Sequence, residues 1–541
     1  MSITAFGRPL GAPRLAVTRR EAVWQTLGGL LIAACAGVLA VFLVRDATLK
    51  GIAGGLVVVG SIWFLTTRNP QLGLVLIMLY LGLLDGYLKL ASGSSVVTLI
   101  RDVFIFSLVL GLLIRAAVTR QRLPLPPLSM WLIAFTVIVL VEFANPQAGT
   151  LAHSFAGLRQ HLEFVPLFFL TFAYVRTTRA LRVFCILLAV VAAANGVVGW
   201  IQFKESPTQF ASWGPGYSER VLGTGAFAGS GRTGESSTGA SLTRPFGLGS
   251  DAGDGGLFGM VALCGIFALV ASERRRRYQV LAVALALLAV VGIVTSQGRS
   301  VIVASVIALL VFALLTQRGG NRVRSLAGLV AVVGVTGLVA ATVVGAAGSG
   351  SFRYSGLGPS GIVNTTSKAR GISIDTIPHN IATYPFGAGL GTAGPASGSA
   401  GASALTQQGT LDAETEFSFL VLETGVPGML VITGFLLNLL YLGFKRVRDE
   451  PDREARILLA ALIAPLAAMF AQFFVSAITP SVPLGPYLFA AGGVISYWLV
   501  ELPAARRREA AGYAAAATAG YAAAATAGNA AAPIAAPAAA A

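Results

Sequence analysis

The stretch "SLTRPFGLGSDAGDGGLFGMVALCGIFALVAS", Ser241 to Ser272, decides the fold class. Its second half, Gly255–Ser272, is an apolar run of the length that crosses a bilayer, which needs about 20 residues or slightly fewer. Its first half sets Arg244, Asp251 and Asp254 among glycines directly before that run. An apolar run bounded by a charged turn recurs along the chain. Composition agrees: 55% of residues are hydrophobic and 11% charged, the mean hydropathy is +0.76, and a soluble domain is roughly a quarter charged. The expectation is an all-α polytopic membrane protein with about fourteen transmembrane helices and two long outer-face loops.

The spans read as Trp24–Val44, Gly51–Thr67, Leu72–Ala91, Val96–Ile114, Met130–Ala144, His161–Val175 and Leu181–Phe203 in the first part of the chain. Gly255–Ser272, Tyr278–Thr295, Ser300–Thr316, Ser325–Gly345, Phe417–Phe444, Ile457–Ser476 and Leu484–Val500 follow. Lys and Arg accumulate in cytoplasmic loops. Clusters at Arg19/Arg20, Arg115/Arg120/Arg122, Arg176/Arg179/Arg182, Arg274 to Arg277, Arg318/Arg322/Arg324, Lys445/Arg446/Arg448 and Arg506 to Arg508 are separated by even numbers of spans. Both termini are therefore expected in the cytoplasm, with Trp24–Val44 as an uncleaved signal anchor. The net charge of +16 follows from this topology and from contact with anionic membrane lipids. It does not indicate nucleic acid, whose recognition calls for a basic patch interleaved with aromatics on a soluble module.

The organisation that follows is a cytoplasmic N-terminus over 1–23, a transmembrane bundle over 24–203 and an outer-face loop over 204–254. Central helices occupy 255–345, a large outer-face loop 346–416, C-terminal helices 417–500 and a cytoplasmic Ala-rich tail 501–541, in which "AGYAAAAT" occurs twice. Cys35, Cys185 and Cys264 fall inside apolar runs and read as small core residues with no disulfide.

Some basic residues defy the cytoplasmic trend: Lys89, Arg101, Arg159, Lys204, Arg220, Arg244, Arg299 and Arg370 among them. Arg244 precedes the Gly255 helix, Arg299 sits in the hinge "TSQGRSV", and Arg370 lies in "SKARGISIDTIPHN". A guanidinium is always charged and matches phosphate oxygens with a planar fork of donors. Three of them at outer junctions suit an anionic head group, and "PFGLGSDAGDGG" and "PFGAGLGTAG" are expected to expose backbone N–H groups to the same ligand. Arg159, His161 and Glu163 form a second polar group at an outer helix entrance.

Among the acids, Asp412 and Glu416 read as helix caps. Glu423 lies inside an apolar run and needs a role or a partner, and Gly425, Pro427 and Gly428 after it predict a kink. His379 is a candidate base. Histidine spacing fits no metal site.

In their order, "TRPFGLGSDAGDGGLFG", "TSQGRSVIVASVIALLVFALL", "SKARGISIDTIPHNIATYPFGAGLG" and "ETEFSFLVLETGVPGMLVITGFLLNLL" resemble the bacterial O-antigen ligase and O-antigen polymerase superfamily, over roughly Gly157 to Tyr441. The resemblance implies an enzyme of the bacterial cytoplasmic membrane that takes a polyprenyl-diphosphate-linked glycan as donor. A glycan, lipid or protein acceptor receives it at the outer face, with no cofactor or metal. It assigns Arg244, Arg299 and Arg370 to the diphosphate; Arg159 and Glu423, from their positions in the sequence, are expected as further substrate-binding residues. In the family a histidine stands nine residues before the Glu-x-Gly pair; here that position is Glu414. Glu414, or else His379, would be the catalytic base, and joining of repeat units is as well supported as ligation. The alternative is a transporter or flippase of lipid-linked oligosaccharides, for which internal repeats and polar groups at the bilayer midplane are expected.

Overall fold

The computed structural model describes residues 47–94, 97–120, 125–148, 150–224, 233–235, 241–316, 374–394 and 414–530. The expected spans Trp24–Val44 and Ser325–Gly345, together with Cys35, Arg370 and Asp412, lie outside the described residues.

The described chain is helical apart from one small hairpin. It begins with α1 (Ala47–Thr66), α2 (Pro70–Leu83), α3 (Asp85–Ser92), α4 (Thr98–Val118), α5 (Ser129–Phe143), α6 (Leu151–Leu162), α7 (Val165–Tyr174) and α8 (Thr178–Lys204). Two short helices follow, α9 (Pro207–Ala211) and α10 (Pro215–Leu222), then an antiparallel pair, β1 (Thr233–Glu235) and β2 (Ser241–Thr243). The second half contains α11 (Asp254–Ser272), α12 (Arg276–Thr295), α13 (Arg299–Thr316), α14 (Ile377–Thr383), α15 (Glu416–Arg446), α16 (Arg453–Gln472), α17 (Leu484–Ile495) and α18 (Leu502–Ala530).

Seven helices among the described residues are long and apolar enough to cross a membrane, and the bent pair α2/α3 makes an eighth if it counts as one span. At 1.5 Å per residue, the 18 residues of α13 reach about 27 Å, close to the hydrocarbon thickness. The run His161–Val175 behaves differently from its sequence expectation. His161 lies in the last turn of α6, and α7 has only 10 residues, about 15 Å, too short to span. α7 is instead buried against α17, where Thr171 Oγ1 donates to Ala490 O at 2.9 Å.

The centre is the α8–α11–α12 triple. Gly196 on α8 and Gly292 on α12 let the backbones close up, since a Cβ on Gly196 would collide with Leu288 O. Such small-residue contacts are how helices pack where the surroundings are as apolar as the side chains. Cys185 and Cys264 are both buried in this core.

Basic clusters that are far apart in sequence meet at one end. Arg182 contacts Glu454 at 2.7 Å and Glu273 at 3.1 Å, Arg448 donates to Leu314 O at 2.7 Å, and Arg506 lies 3.3 Å from Glu450. The glycine-rich segments gather at the opposite end.

The 204–254 segment has more internal structure than its loop-like composition implies. Phe210, Tyr217 and Phe246 are fully buried in a small cluster with Leu90 and Val221, and Tyr217 stacks on Phe246 with ring centres 5.8 Å apart. The tail forms α18, exposed from Glu509 to Gly520.

Candidate functional site

At the loop end, Arg244 introduces the "PFGLGSDAGDGG" segment. The expected display of amides is not what this segment builds. Phe246 and Gly247 N–H donate to Gln202 Oε1 at 2.9 and 2.8 Å, and Leu248 N–H donates to Asn195 Oδ1 at 2.8 Å. Ser250 and Asp251 N–H go to Asp254 Oδ2 at 2.9 and 2.8 Å, and Ala252 N–H to Asp251 Oδ1 at 2.7 Å. Gly249, Gly253, Asp254, Gly255 and Gly256 donate to carbonyls within the segment. Every amide from Phe246 to Gly256 is thus satisfied internally, and the segment offers a ligand its side chains rather than a nest of N–H groups. Arg244 is half-buried, with Nη2 3.4 Å from Ala252 O.

The second glycine segment is also used internally. Ala388 N–H donates to Leu422 O at 2.6 Å, and Val426 N–H to Pro385 O at 2.9 Å. These bonds supply partners to α15 where it is broken at Gly425, whose φ of 67° and ψ of −174° leave the helical region. The kink expected from Gly425 and Pro427 is present. A Cβ at Gly425 would also collide with the Phe386 backbone.

Contacts tie the remaining segments to this end. A Cβ on Gly256 would lie 2.5 Å from Ser296 Oγ, so the start of α11 sits on the hinge that precedes Arg299. Gln472 Nε2 donates to Ser300 O at 2.9 Å, and Glu416 N–H donates to Phe473 O at 3.0 Å. Arg244, Arg299 and the start of α15 therefore belong to one neighbourhood. Glu414 is exposed and Arg299 half-buried. His379 is exposed on α14, which packs on α15.

Two expected roles change in geometry. Glu416 is fully buried, and its carboxylate accepts N–H bonds from Ile478 and, at 3.2 Å, from Thr479, whose hydroxyl adds a bond at 2.7 Å. It clamps the segment after α16, while Thr415 caps α15 by accepting from Ser418 N–H at 3.1 Å. Glu423 is also fully buried. Its Oε1 accepts Ala393 N–H at 2.9 Å, and its Oε2 meets His161 Nε2 at 2.9 Å and Gln160 Nε2 at 3.3 Å. His161 stacks on Phe419 with centres 5.0 Å apart. This is a tie between α6, α15 and the 385–394 segment, closed to solvent.

Arg159 is likewise engaged. It pairs with Asp102 and lies 3.6 Å from Glu163. Arg101 joins the same cluster, 2.8 Å from Asp85 and 2.5 Å from Glu163. Sequence reading singled out neither Asp85 nor Asp102, although both stand inside apolar runs, Asp85 four residues before Lys89 and Asp102 next to Arg101, the signal that would have found them. Asn195 and Gln202, polar amides inside the apolar run of α8, were the corresponding signal for the docked glycine segment. No protein-family model and no curated protein matches this chain.

Proposed function

We propose that the chain is an integral-membrane glycosyltransferase of the O-antigen ligase/polymerase type, with about fourteen spans and both termini in the bacterial cytoplasm. It acts at the outer face of the cytoplasmic membrane on a glycan carried by polyprenyl diphosphate. The observation that carries this reading is the neighbourhood of Arg244, Arg299 and the start of α15, which Glu414 precedes by two residues. Fixed positive charge stands there at the end of the apolar helices, where a lipid diphosphate can approach along the membrane plane.

In the reaction, Glu414 takes the proton of an acceptor hydroxyl, whose oxygen attacks the anomeric carbon of the donor. The bond from that carbon to the diphosphate oxygen breaks, and its electron pair leaves with polyprenyl diphosphate. Arg244 and Arg299 stabilise the charge that develops there, the use of preorganised donors that matters most in such steps. Arg370 belongs to the same proposed diphosphate site.

The test is the purified protein in liposomes with a polyprenyl-diphosphate-linked oligosaccharide, products resolved by size. Arg244→Ala and Arg299→Ala should each cut transfer by about a hundredfold at normal protein levels. Wild-type output from both variants would overturn the assignment. A second reading, a lipid-linked-oligosaccharide transporter, draws support from the broken helix at Gly425, since discontinuous helices line transport sites. Movement of donor across the bilayer with no new glycosidic bond would favour it.

A further inference from the structure

Next in the chain to the arginines of the proposed diphosphate site stand two buried polar side chains whose donors are unused. Gln297 lies in the turn between α12 and α13, two residues before Arg299. It is 3% exposed, and its Nε2 has no hydrogen-bond partner among the described residues. Thr243 ends β2 and directly precedes Arg244. It is 5% exposed, and its Oγ1 likewise has no partner among the described residues. Buried polar groups in folded proteins are nearly always bonded, so each of these atoms needs a reason.

Loose construction is not the reason. Asn195 Nδ2 donates to Gly82 O at 3.0 Å and Val191 O at 2.9 Å, and Gln202 Nε2 donates to Gly247 O at 2.8 Å. Gln472 Nε2 reaches Ser300 O, in the first turn of α13, at 2.9 Å. The turn that holds Gln297 is itself tightly built. Its N–H reaches Val294 O at 3.3 Å, and Ser296 Oγ accepts Gly298 N–H at 3.3 Å. A Cβ on Gly256 would lie 2.5 Å from the same Ser296 Oγ. Within this turn Gln297 has a φ of 53°, the left-handed region that glycine occupies freely. Glycine would relieve the backbone and leave no buried donor. A long carboxamide kept here costs both strain and desolvation, a combination found where a side chain is held for a ligand.

We propose that Gln297 Nε2 and Thr243 Oγ1 are neutral hydrogen-bond donors to the oxygens of a diphosphate group, completing the site of Arg244 and Arg299. The inference rests on the reading of those arginines as diphosphate ligands and adds two residues to their site. Two residues of chain extend about 7 Å at most, so Gln297 and Arg299 are close enough to address one anion. Thr243 and Arg244 are consecutive. Guanidinium groups balance the charge of a diphosphate, while an amide N–H and a hydroxyl meet its remaining lone pairs without adding positive charge. The cost of leaving both donors bare in the free protein is recovered when the anion binds.

The experiment is calorimetric titration of the full-length protein with inorganic diphosphate at constant ionic strength, in nanodiscs of zwitterionic phosphatidylcholine. Wild type should bind saturably. Gln297→Met and Thr243→Val keep side-chain size and remove the donor, and each should weaken binding roughly tenfold. Thr243→Ser, which keeps the hydroxyl, should bind as wild type does. Without diphosphate, Gln297→Met and Thr243→Val should unfold at or above the wild-type temperature, because neither donor has a bond to lose. Undiminished binding by either variant, alongside weakened binding by Arg299→Gln, would overturn the inference and leave the arginine site standing. A lowered unfolding temperature for Gln297→Met would overturn it as well, by giving the carboxamide a role in the fold. No binding by wild type would overturn the diphosphate reading of the arginines, and this inference with it.

Discussion

At the junction of α2 and α3 the helix axis turns by 45°, whereas α15 stops and restarts at Gly425. The first bend keeps its backbone ladder: Leu84 N–H still reaches Tyr80 O at 2.9 Å and Leu88 N–H reaches Leu84 O at 2.8 Å. Its direction is set by side chains, with Asp85 held by Arg101 and Gly86 pressed against the Leu248–Gly249 backbone. The second frees backbone groups in an apolar setting, and these must find partners. Pro385 O and Ala388 N–H provide them. A bend with its ladder intact thus depends on charge, while a true break depends on a neighbouring strand of chain.

The two cases should fail differently. The largest effect is expected from Arg101→Ala, which leaves Asp85, Asp102 and Glu163 together without their central cation. Removing one partner of a buried ion cluster costs about 3–5 kcal/mol, so the variant should lose most of its folded yield in a fluorescence size-exclusion assay. Wild-type yield would mean that the cluster does not hold the α2/α3 bend. Gly425→Ala comes next. It combines a left-handed backbone with a collision at Phe386, a strain of about 1–3 kcal/mol. Thermal unfolding in detergent should show a lower midpoint, and protease should cut near Phe386, which is 73% exposed, more readily than in wild type. Unchanged cleavage there would show that the break survives without its glycine.

The smallest effect belongs to an ordinary helix end, which calibrates the other two. Glu273 accepts the N–H groups of Arg274 and Arg275 at 2.9 and 3.0 Å between α11 and α12. These amides, Arg275's first, hold its carboxyl below the usual carboxylate range. A folded pKa below the unfolded one gives stability that is present above the unfolded value. That stability disappears as pH falls through the folded value. Glu273→Gln should therefore lower stability slightly at neutral pH, converge on wild type in acid, and so flatten the acid limb between them. A steeper acid limb in the variant would reverse the sign of that account.

Much of this architecture was legible from apolar length alone. Gly255–Ser272 and Ser300–Thr316 became α11 and α13 within a residue or two, because a long apolar run has few other ways to satisfy its backbone. His161–Val175 was misleading because composition does not show that the chain turns at Glu163–Phe164. Glu423 announced that it had a partner, but the partner, His161, lies 262 positions away, a distance over which no spacing rule operates. The glycines of "PFGLGSDAGDGG" were ambiguous for a related reason. Glycine fixes neither which way its amide points nor what receives it.

The segment from Phe246 to Gly256 has one more consequence. Surface connections ordinarily tolerate gained or lost residues at small cost. Here every N–H has a fixed acceptor, some of them shared, including Gln202, Asn195 and Asp254. A single inserted residue would shift every later amide away from its acceptor. Descendants of this chain are free to vary their side chains along the segment, but its length is as constrained as that of the helices around it.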